Sequence, residues 1–383
     1  ESQWLTNVLD KIPFLHLTQP SQISFTGEFA QLIAGEAGGT QDNASYIDDF
    51  EGTKTTIDVT TPTSWFISSV PSLNFKDDYS DKTGLSSGFH RSRLAWYTID
   101  PLFTRRGSSL TPGHIKGDLK QLSNHYVREV YTKELFPLRD QSSYQGATNT
   151  LNVLNLAYYP SEPGPYNFNV TDLQADGTLQ NPQRNWGGMM RKLDTNDFEQ
   201  ANIEYIEFWM LDPFIYTRRE GVADQYGGDF YIDLGEVSED ILHDGKKFYE
   251  SGMPVDGTQA WTTTQWGRIP TQSVVTYAFA TTKGSRELQD VGFNGLNDDE
   301  ERQFYANYVE QIPSIVTNKE ALDSILADPA NDDYHYFRGT DLDQRRANNL
   351  ERYKEINMPQ GNSPDARGSG NHEYDYKKRN ERR

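Results

Sequence analysis

The chain of 383 residues contains no cysteine, which excludes disulfides, cysteine-type zinc sites and thiol catalysis. That absence is compatible with an extracytoplasmic protein and by itself says little of redox compartment. No run approaches the roughly 20 apolar residues that a transmembrane helix needs. A membrane β-strand needs only about ten alternating residues and is not excluded. The opening residues Glu1-Ser2-Gln3-Trp4 carry neither a methionine nor a signal-peptide pattern, so the first residue reads as a cut end. Basic residues are scarce beside acidic ones: 36 Lys and Arg stand against 56 Asp and Glu, a net charge of -20. A field of that sign repels nucleic acid and anionic headgroups at long range, which excludes a nucleic-acid partner.

Catalytic signatures are missing as well. The seven histidines, His16, His90, His114, His125, His243, His335 and His372, form no HExxH or closely spaced pair. There is no GxSxG, no GxGxxG after a strand and no phosphate-cradling Gly-Lys-Ser/Thr loop. Asp48, Glu51, Glu204 and Glu207 are acidic, but paired catalytic carboxylates need a spatial separation that sequence does not supply. The expectation is a protein without enzymatic activity.

What the chain does have is aromatic side chains, 22 Tyr, 19 Phe and 7 Trp, residues that favour pleated, half-buried surfaces. The length allows one large or two ordinary domains. Ile23, Phe25, Gly27 and Phe29 alternate with Ser24, Thr26 and Glu28, the period of a strand, and a Gly-rich stretch at 35–40 breaks the pattern. From about 45 to 270, strand-like runs at 151–159, 203–211 and 229–235 are separated by Gly, Pro, Asn and Asp clusters. In 229–235, Phe230, Ile232 and Leu234 alternate with Asp229, Tyr231 and Asp233, so one face is expected to be buried and the other wet. In 203–211 both faces are largely apolar, with Ile206, Phe208 and Met210 opposite Tyr205 and Trp209, as in a central strand. The expected fold is mainly β, a jelly-roll-like antiparallel sandwich, with short helices at 124–136 and 238–249. After Pro270, Phe304, Tyr308, Val309 and Ile312 recur at helical spacing, and Leu322, Ile325 and Leu326 do so after an Asn318 cap. The sequence therefore divides into a strand-containing segment (1–40), the sandwich (45–270), a small helical appendage (271–356) and a linker or tail (357–383).

One loop carries suggestive chemistry. Asp290-Val-Gly-Phe-Asn-Gly-Leu-Asn-Asp-Asp-Glu-Glu301 resembles an EF-hand loop running into a helix. In that register Asp290, Asn294, the Leu296 carbonyl, Asp298 and Glu301 fall at the first, fifth, seventh, ninth and twelfth positions, with Gly295 at the turn. These are candidate calcium ligands, although Gly292 stands where the third position usually holds an acid. The same acids complement a helix N-terminus without any metal, and both readings stand. Asp48-Asp-Phe-Glu51 is either a structural calcium site at the start of a jelly roll or a solvated strand end. Asn43-Ala-Ser45 and Asn169-Val-Thr171 match glycosylation acceptors. Trp65, Trp96, Trp186, Trp209, Trp261 and Trp266 offer sugar-stacking platforms, which makes a secreted carbohydrate-binding jelly-roll module the alternative reading. Trp209 within an apolar run and Trp186 before Gly187-Gly188 read instead as core or close-packed turn residues.

Several longer strings resemble one family. They are Gly27-Glu-Phe-Ala-Gln-Leu32, Ser45-Tyr-Ile-Asp-Asp-Phe-Glu-Gly52, Tyr158-Tyr-Pro-Ser-Glu-Pro-Gly-Pro-Tyr-Asn167 and Asn185-Trp-Gly-Gly-Met-Met-Arg191. Further along stand Phe198-Glu199, Asn202-Ile-Glu-Tyr-Ile-Glu-Phe-Trp-Met-Leu-Asp-Pro213, Gly228-Asp-Phe-Tyr-Ile-Asp-Leu-Gly235 and Asp290-Val-Gly-Phe-Asn-Gly-Leu296. The last are Tyr336-Phe-Arg-Gly-Thr340, Leu350-Glu-Arg-Tyr-Lys354 and Pro359-Gln-Gly-Asn-Ser-Pro364. Together they resemble the SprA/Sov family, the giant outer-membrane translocon of the Bacteroidota type IX secretion system. The resemblance implies an internal piece of a much longer protein whose membrane part is a wide β-barrel that passes folded cargo, some members also serving gliding motility. It implies that the partners are other type IX secretion proteins and exported cargo, and that the location is the outer membrane, at the cell surface or periplasmic face. It brings no catalytic residue or cofactor. This chain lacks nearly all barrel strands, so the strand near Ile23 to Phe29 is a candidate for barrel wall and the sandwich for an insertion. Such a piece alone makes no pore, because a membrane barrel must close to satisfy its edges.

Overall fold

The computed structural model describes residues 57–81, 84–138, 149–201, 203–214, 228–246, 261–271 and 289–360, together with residues 9 and 11. The chain forms two compact units, Glu1–Thr55 and Thr56–Arg383. The expected strand at Ile23 to Phe29, the Asp48 to Glu51 cluster, Asn43 and most of the tail lie outside the described residues. Every helix and strand named here belongs to the second unit.

Among the described residues, eight short strands pair two by two, all antiparallel. They are β1 (Phe66–Ile67), β2 (Ser92–Tyr97), β3 (Val130–Tyr131), β4 (Thr150–Leu151), β5 (Asn155–Pro163), β6 (Met189–Met190), β7 (Trp261–Thr263) and β8 (Arg268–Pro270). The pairs are β1 with β6, β2 with β5, β3 with β4 and β7 with β8. In the longest ladder, Arg93 faces Tyr159 and Tyr97 faces Asn155, but Ser92 faces Pro163. Residues 160–162 are thus looped out of β5 where Pro160 has no N–H to give to the ladder.

The β2 strand separates two cores, because successive side chains of a strand point to opposite faces. Trp96 joins a cluster with Tyr166, Phe168, Trp266, Phe293 and Tyr305, among others. Its neighbours Ala95 and Tyr97 enter a second cluster with Ile99, Phe103, Ile115, Val127 and Tyr353. Tyr97 and Tyr353 stack there with ring centres 4.2 Å apart. Buried Arg91, just before this strand, donates from Nη1 to the Pro165 carbonyl and from Nη2 to that of Ile241, and sits over the Trp186 ring. Burial pushes its pKa down to about 10, so it remains a cation at neutral pH.

Helices fill the connections and the C-terminal third. Among the described residues, four lie in the connections between strands: α1 (Lys76–Ser80), α2 (Gly113–Lys116), α3 (Leu119–Leu122) and α4 (Thr132–Leu135). The others are α5 (Asp298–Phe304), α6 (Ala306–Ile315), α7 (Lys319–Ala327), α8 (Thr340–Gln344) and α9 (Asn349–Arg352). The helical spacing after Pro270 is realised in α6 and α7, and Asn318 caps α7 by accepting the Ala321 N–H at 3.1 Å. A break at Tyr305 resets the phase between α5 and α6, so Tyr305 turns inward while Phe304 stays exposed. The helices are not an appendage. Tyr305, Tyr308, Ile312 and Val316 share the first core with Trp96 and Phe168, and Phe168 meets Tyr305 at 4.2 Å between ring centres.

The antiparallel pairing agrees with expectation, while the architecture is mixed α and β. Among the described residues the strands form neither a two-layer jelly roll nor a closed barrel. The expected strand at 151–159 begins as β4, breaks at 152–154 where Asn152 turns to bond the Thr60 hydroxyl, and resumes as β5. Residues 203–211 and 229–235 carry no helix or strand, and Tyr205, Trp209, Met210, Phe230 and Tyr231 are exposed. Alternating hydrophobicity records what a strand would bury, but a ladder also requires a neighbour offering N–H and C=O groups in register. The helix expected at 124–136 is divided among a 3-10 turn at His125–Val127, β3 and α4. That at 238–249 is absent through 246, where the Asp240 carboxylate instead accepts the Asp244 and Gly245 N–H groups. Residues 357–360, placed in the tail by composition, are packed: Met358 is 2% exposed, and Gln360 exchanges backbone bonds with Asp332 and Tyr334.

Candidate functional site

The loop from Asp290 to Glu301 is built by two left-handed glycines and a capping box. Gly292 has φ +67° and Gly295 φ +68°, conformations that glycine adopts without strain. Asn297 begins α5 by accepting the Glu300 N–H, while the Glu300 carboxylate returns to the Asn297 N–H at 3.0 Å. This double contact satisfies orphan donors at the helix start, and it sets Glu301 one residue further, facing inward with no exposed surface.

Glu301 meets two carboxylates from a different segment. Asp328 closes α7 and Asp332 lies four residues on. One carboxylate oxygen from each of Glu301, Asp328 and Asp332 lies within 4.8 Å of the others. The surrounding donors are specific. Asn294 Nδ2 donates to Glu301 Oε1 at 2.6 Å and the Ala330 N–H to Oε2 at 3.1 Å. The Asp332 and Asp333 N–H groups reach the two oxygens of Asp328 at 3.1 and 3.0 Å. The Tyr166 hydroxyl donates to Asp332 Oδ2 at 2.6 Å and accepts the Phe293 N–H at 2.7 Å. Asp332 Oδ1 is buried and takes part in no hydrogen bond. Burial, then the neighbouring carboxylates, raise the Glu301 and Asp332 carboxyls well above their ordinary range. Burial, then Asp332, does the same to the Tyr166 hydroxyl.

Of the calcium ligands expected from the loop alone, Asn294 and Glu301 come together. The Asn294 amide is turned so that its oxygen accepts the Leu296 N–H at 2.9 Å and its nitrogen faces Glu301. The Leu296 side chain is buried. Asp298 opens α5 and accepts from Gln360 Nε2 at 2.7 Å. Asp290 is half-buried at the head of the loop. Among the described residues, neither Asp290 nor Asp298 belongs to the carboxylate cluster. Sequence spacing missed Asp328 and Asp332 because they lie some thirty residues beyond the loop. The one available signal was Gly292, the missing third-position acid: a Cβ at Gly292 would clash with Asp332 Oδ2. The space is held by a carboxylate from elsewhere in the chain.

The tryptophans divide by burial. Trp96, Trp186 and Trp266 belong to the core, Trp186 as its position before two glycines implies, and offer no platform to a sugar. Trp209, expected inside, is 71% exposed, and Trp261 is exposed beneath the Arg268 guanidinium. Glu204 and Glu207 are also exposed.

A family model described as a motility-related/secretion protein, SprA_N, matches residues 307–380. Over that stretch the chain is similar to the SprA family. In the described residues the SprA-type match runs from α6 through α9, so it contains Asp328 and Asp332 and stops short of Glu301. It connects the chain with motility and secretion. No curated protein matches the chain. Among the described residues, no helix is long and apolar enough to cross a membrane.

Proposed function

We propose that this chain is an SprA-family structural and interaction domain of the outer-membrane translocon that exports proteins by type IX secretion and supports gliding motility. It acts through contacts and turns over no substrate. The observation that carries this reading is the SprA-type match across 307–380, and the longer sequence strings that resemble the same translocon extend it over most of the chain. The exposed apolar side chains of Tyr205, Phe208, Trp209 and Met210, with Phe230 and Ile232, give it surface suited to protein contacts. Those contacts would be made with other type IX secretion proteins and with exported cargo.

The test is export by cells carrying this chain in its native gene. With residues 307–360 deleted in frame, proteins that normally appear outside the cell should accumulate within the envelope, and gliding should stop. Unchanged export would overturn the reading. Glycan binding by the purified chain, lost on substitution of Trp209 or Trp261 by Ala, would move the assignment to the carbohydrate-binding alternative.

A further inference from the structure

We propose that Glu301, Asp328 and Asp332 hold a divalent cation of calcium type, bound between the start of α5 and the turn after α7. The inference stands independently of the secretion reading, because it concerns only the chemistry of this cluster. Three carboxylates offer oxygens within 4.8 Å of one another. Calcium ligands, about 2.3–2.6 Å from a common centre, lie at such separations.

The hydrogen bonds around the cluster favour ionised carboxylates. Five of the six oxygens accept from protein donors: Asn294 Nδ2 and the Ala330 N–H at Glu301, the Asp332 and Asp333 N–H groups at Asp328, and the Tyr166 hydroxyl at Asp332. Donors of this kind stabilise the charged form. The sixth oxygen, Asp332 Oδ1, is wholly buried with neither a donor to bond it nor an acceptor to take a carboxyl proton. Among the described residues no Lys, Arg or His forms an ion pair with Glu301 or Asp332. Buried charges persist when paired or when they coordinate a metal. Hard carboxylate oxygens with no sulfur or imidazole among them select calcium or magnesium over softer ions. An irregular set gathered from two segments suits calcium, which tolerates flexible geometry, better than the near-octahedral demand of magnesium.

Gly292 adds a separate indication. The loop resembles a calcium loop whose third-position acid is absent, and the Asp332 carboxylate occupies the space over Gly292. An acid from the turn after α7 fills the space beside that position.

The test uses the 383-residue chain, unfolded by heat in EGTA and again in calcium chloride. Ligand that binds only the folded state raises the midpoint by mass action, so calcium should raise it by several degrees. Asp332→Asn should abolish that increment while leaving the midpoint in EGTA no lower, since it removes one of three acids crowded together in a buried site. Asp290→Ala should retain it. Terbium supplies a second readout that does not depend on any variant folding: excited through tyrosine, it should luminesce on the wild-type chain and be displaced by calcium. Asp328→Asn should also lose this signal. No calcium-dependent shift together with no displaceable terbium signal would overturn the proposal. So would an increment that survives both Asp332→Asn and Asp328→Asn, or one produced by magnesium alone.

Discussion

Tyr166 donates its hydroxyl hydrogen to Asp332 Oδ2 at 2.6 Å across 166 residues of sequence. The hydroxyl oxygen of Tyr166 also accepts the Phe293 N–H at 2.7 Å, so one side chain joins the β2–β5 region, the loop before α5 and the turn after α7. Tyr166→Phe keeps the ring, which stacks near Phe293, and removes only the hydroxyl. It leaves a buried N–H and a buried carboxylate each short of a partner, a loss on the order of 1–3 kcal/mol per unsatisfied group. Denaturant unfolding should show a lower midpoint with an unchanged slope. Wild-type stability in this variant would mean that the three segments are held by packing alone.

Gly292 and Gly113 make opposite predictions for the same substitution. At Gly292 the backbone is left-handed and an added Cβ meets Asp332, so Gly292→Ala should destabilise by at least about 1–3 kcal/mol, the usual cost of such a conformation. Gly113 opens α2 with nothing near its Cβ position, and Gly113→Ala should stabilise by about 0.4–1 kcal/mol. Thermal unfolding of both variants checks the contrast.

Ile312→Ala tests whether the helices belong to the core. Its side chain is fully buried beside Tyr308 and Val316, and truncation should cost about 2–5 kcal/mol. Because α6 shares that core with the strands, near- and far-ultraviolet circular dichroism should report one displaced transition. Separate helix melting before loss of aromatic signal would restore the idea of an independent helical appendage.

Acid should remove one ion pair in a definable range. Burial alone would raise the Glu129 pKa, but hydrogen bonds from Arg105 and Thr104 outweigh it and hold the carboxyl below the ordinary value of 4.5. A carboxyl depressed on folding contributes stability above its unfolded pKa and loses it as pH falls through the folded one. Glu129→Gln should therefore be less stable than wild type at pH 7, with the two curves converging in acid below 4.5. A gap that stays constant through that range would rule out the ion pair as its source.

Local signals in the sequence translated well where structure is decided locally. Asn318 caps α7, and the spacing of Tyr308, Val309 and Ile312 gives α6, because caps and helical periodicity act within a few residues. The alternation at 203–211 and 229–235 did not translate into a sandwich, since pairing depends on a distant neighbour that alternation does not name. Conversely, β2 is buried on both faces through Ala95, Trp96 and Tyr97, although Arg93 and Ser92 mask it in a hydrophobic reading. The carboxylate cluster was half legible. Glu301 and the odd Gly292 lie in one loop, whereas Asp328 and Asp332 enter through tertiary folding that spacing cannot express. The buried Tyr166 that organises them gives no sign at all in its own Pro-Tyr-Asn context.

Membership of a working SprA-type secretion translocon is tested most directly by affinity purification of the native protein from detergent-solubilised outer membrane, with mass spectrometry of whatever accompanies it. The translocon reading predicts a very large polypeptide containing this sequence, recovered with secretion partners or exported cargo. A small chain recovered outside the membrane fraction, alone or retained only by glycan, would contradict it.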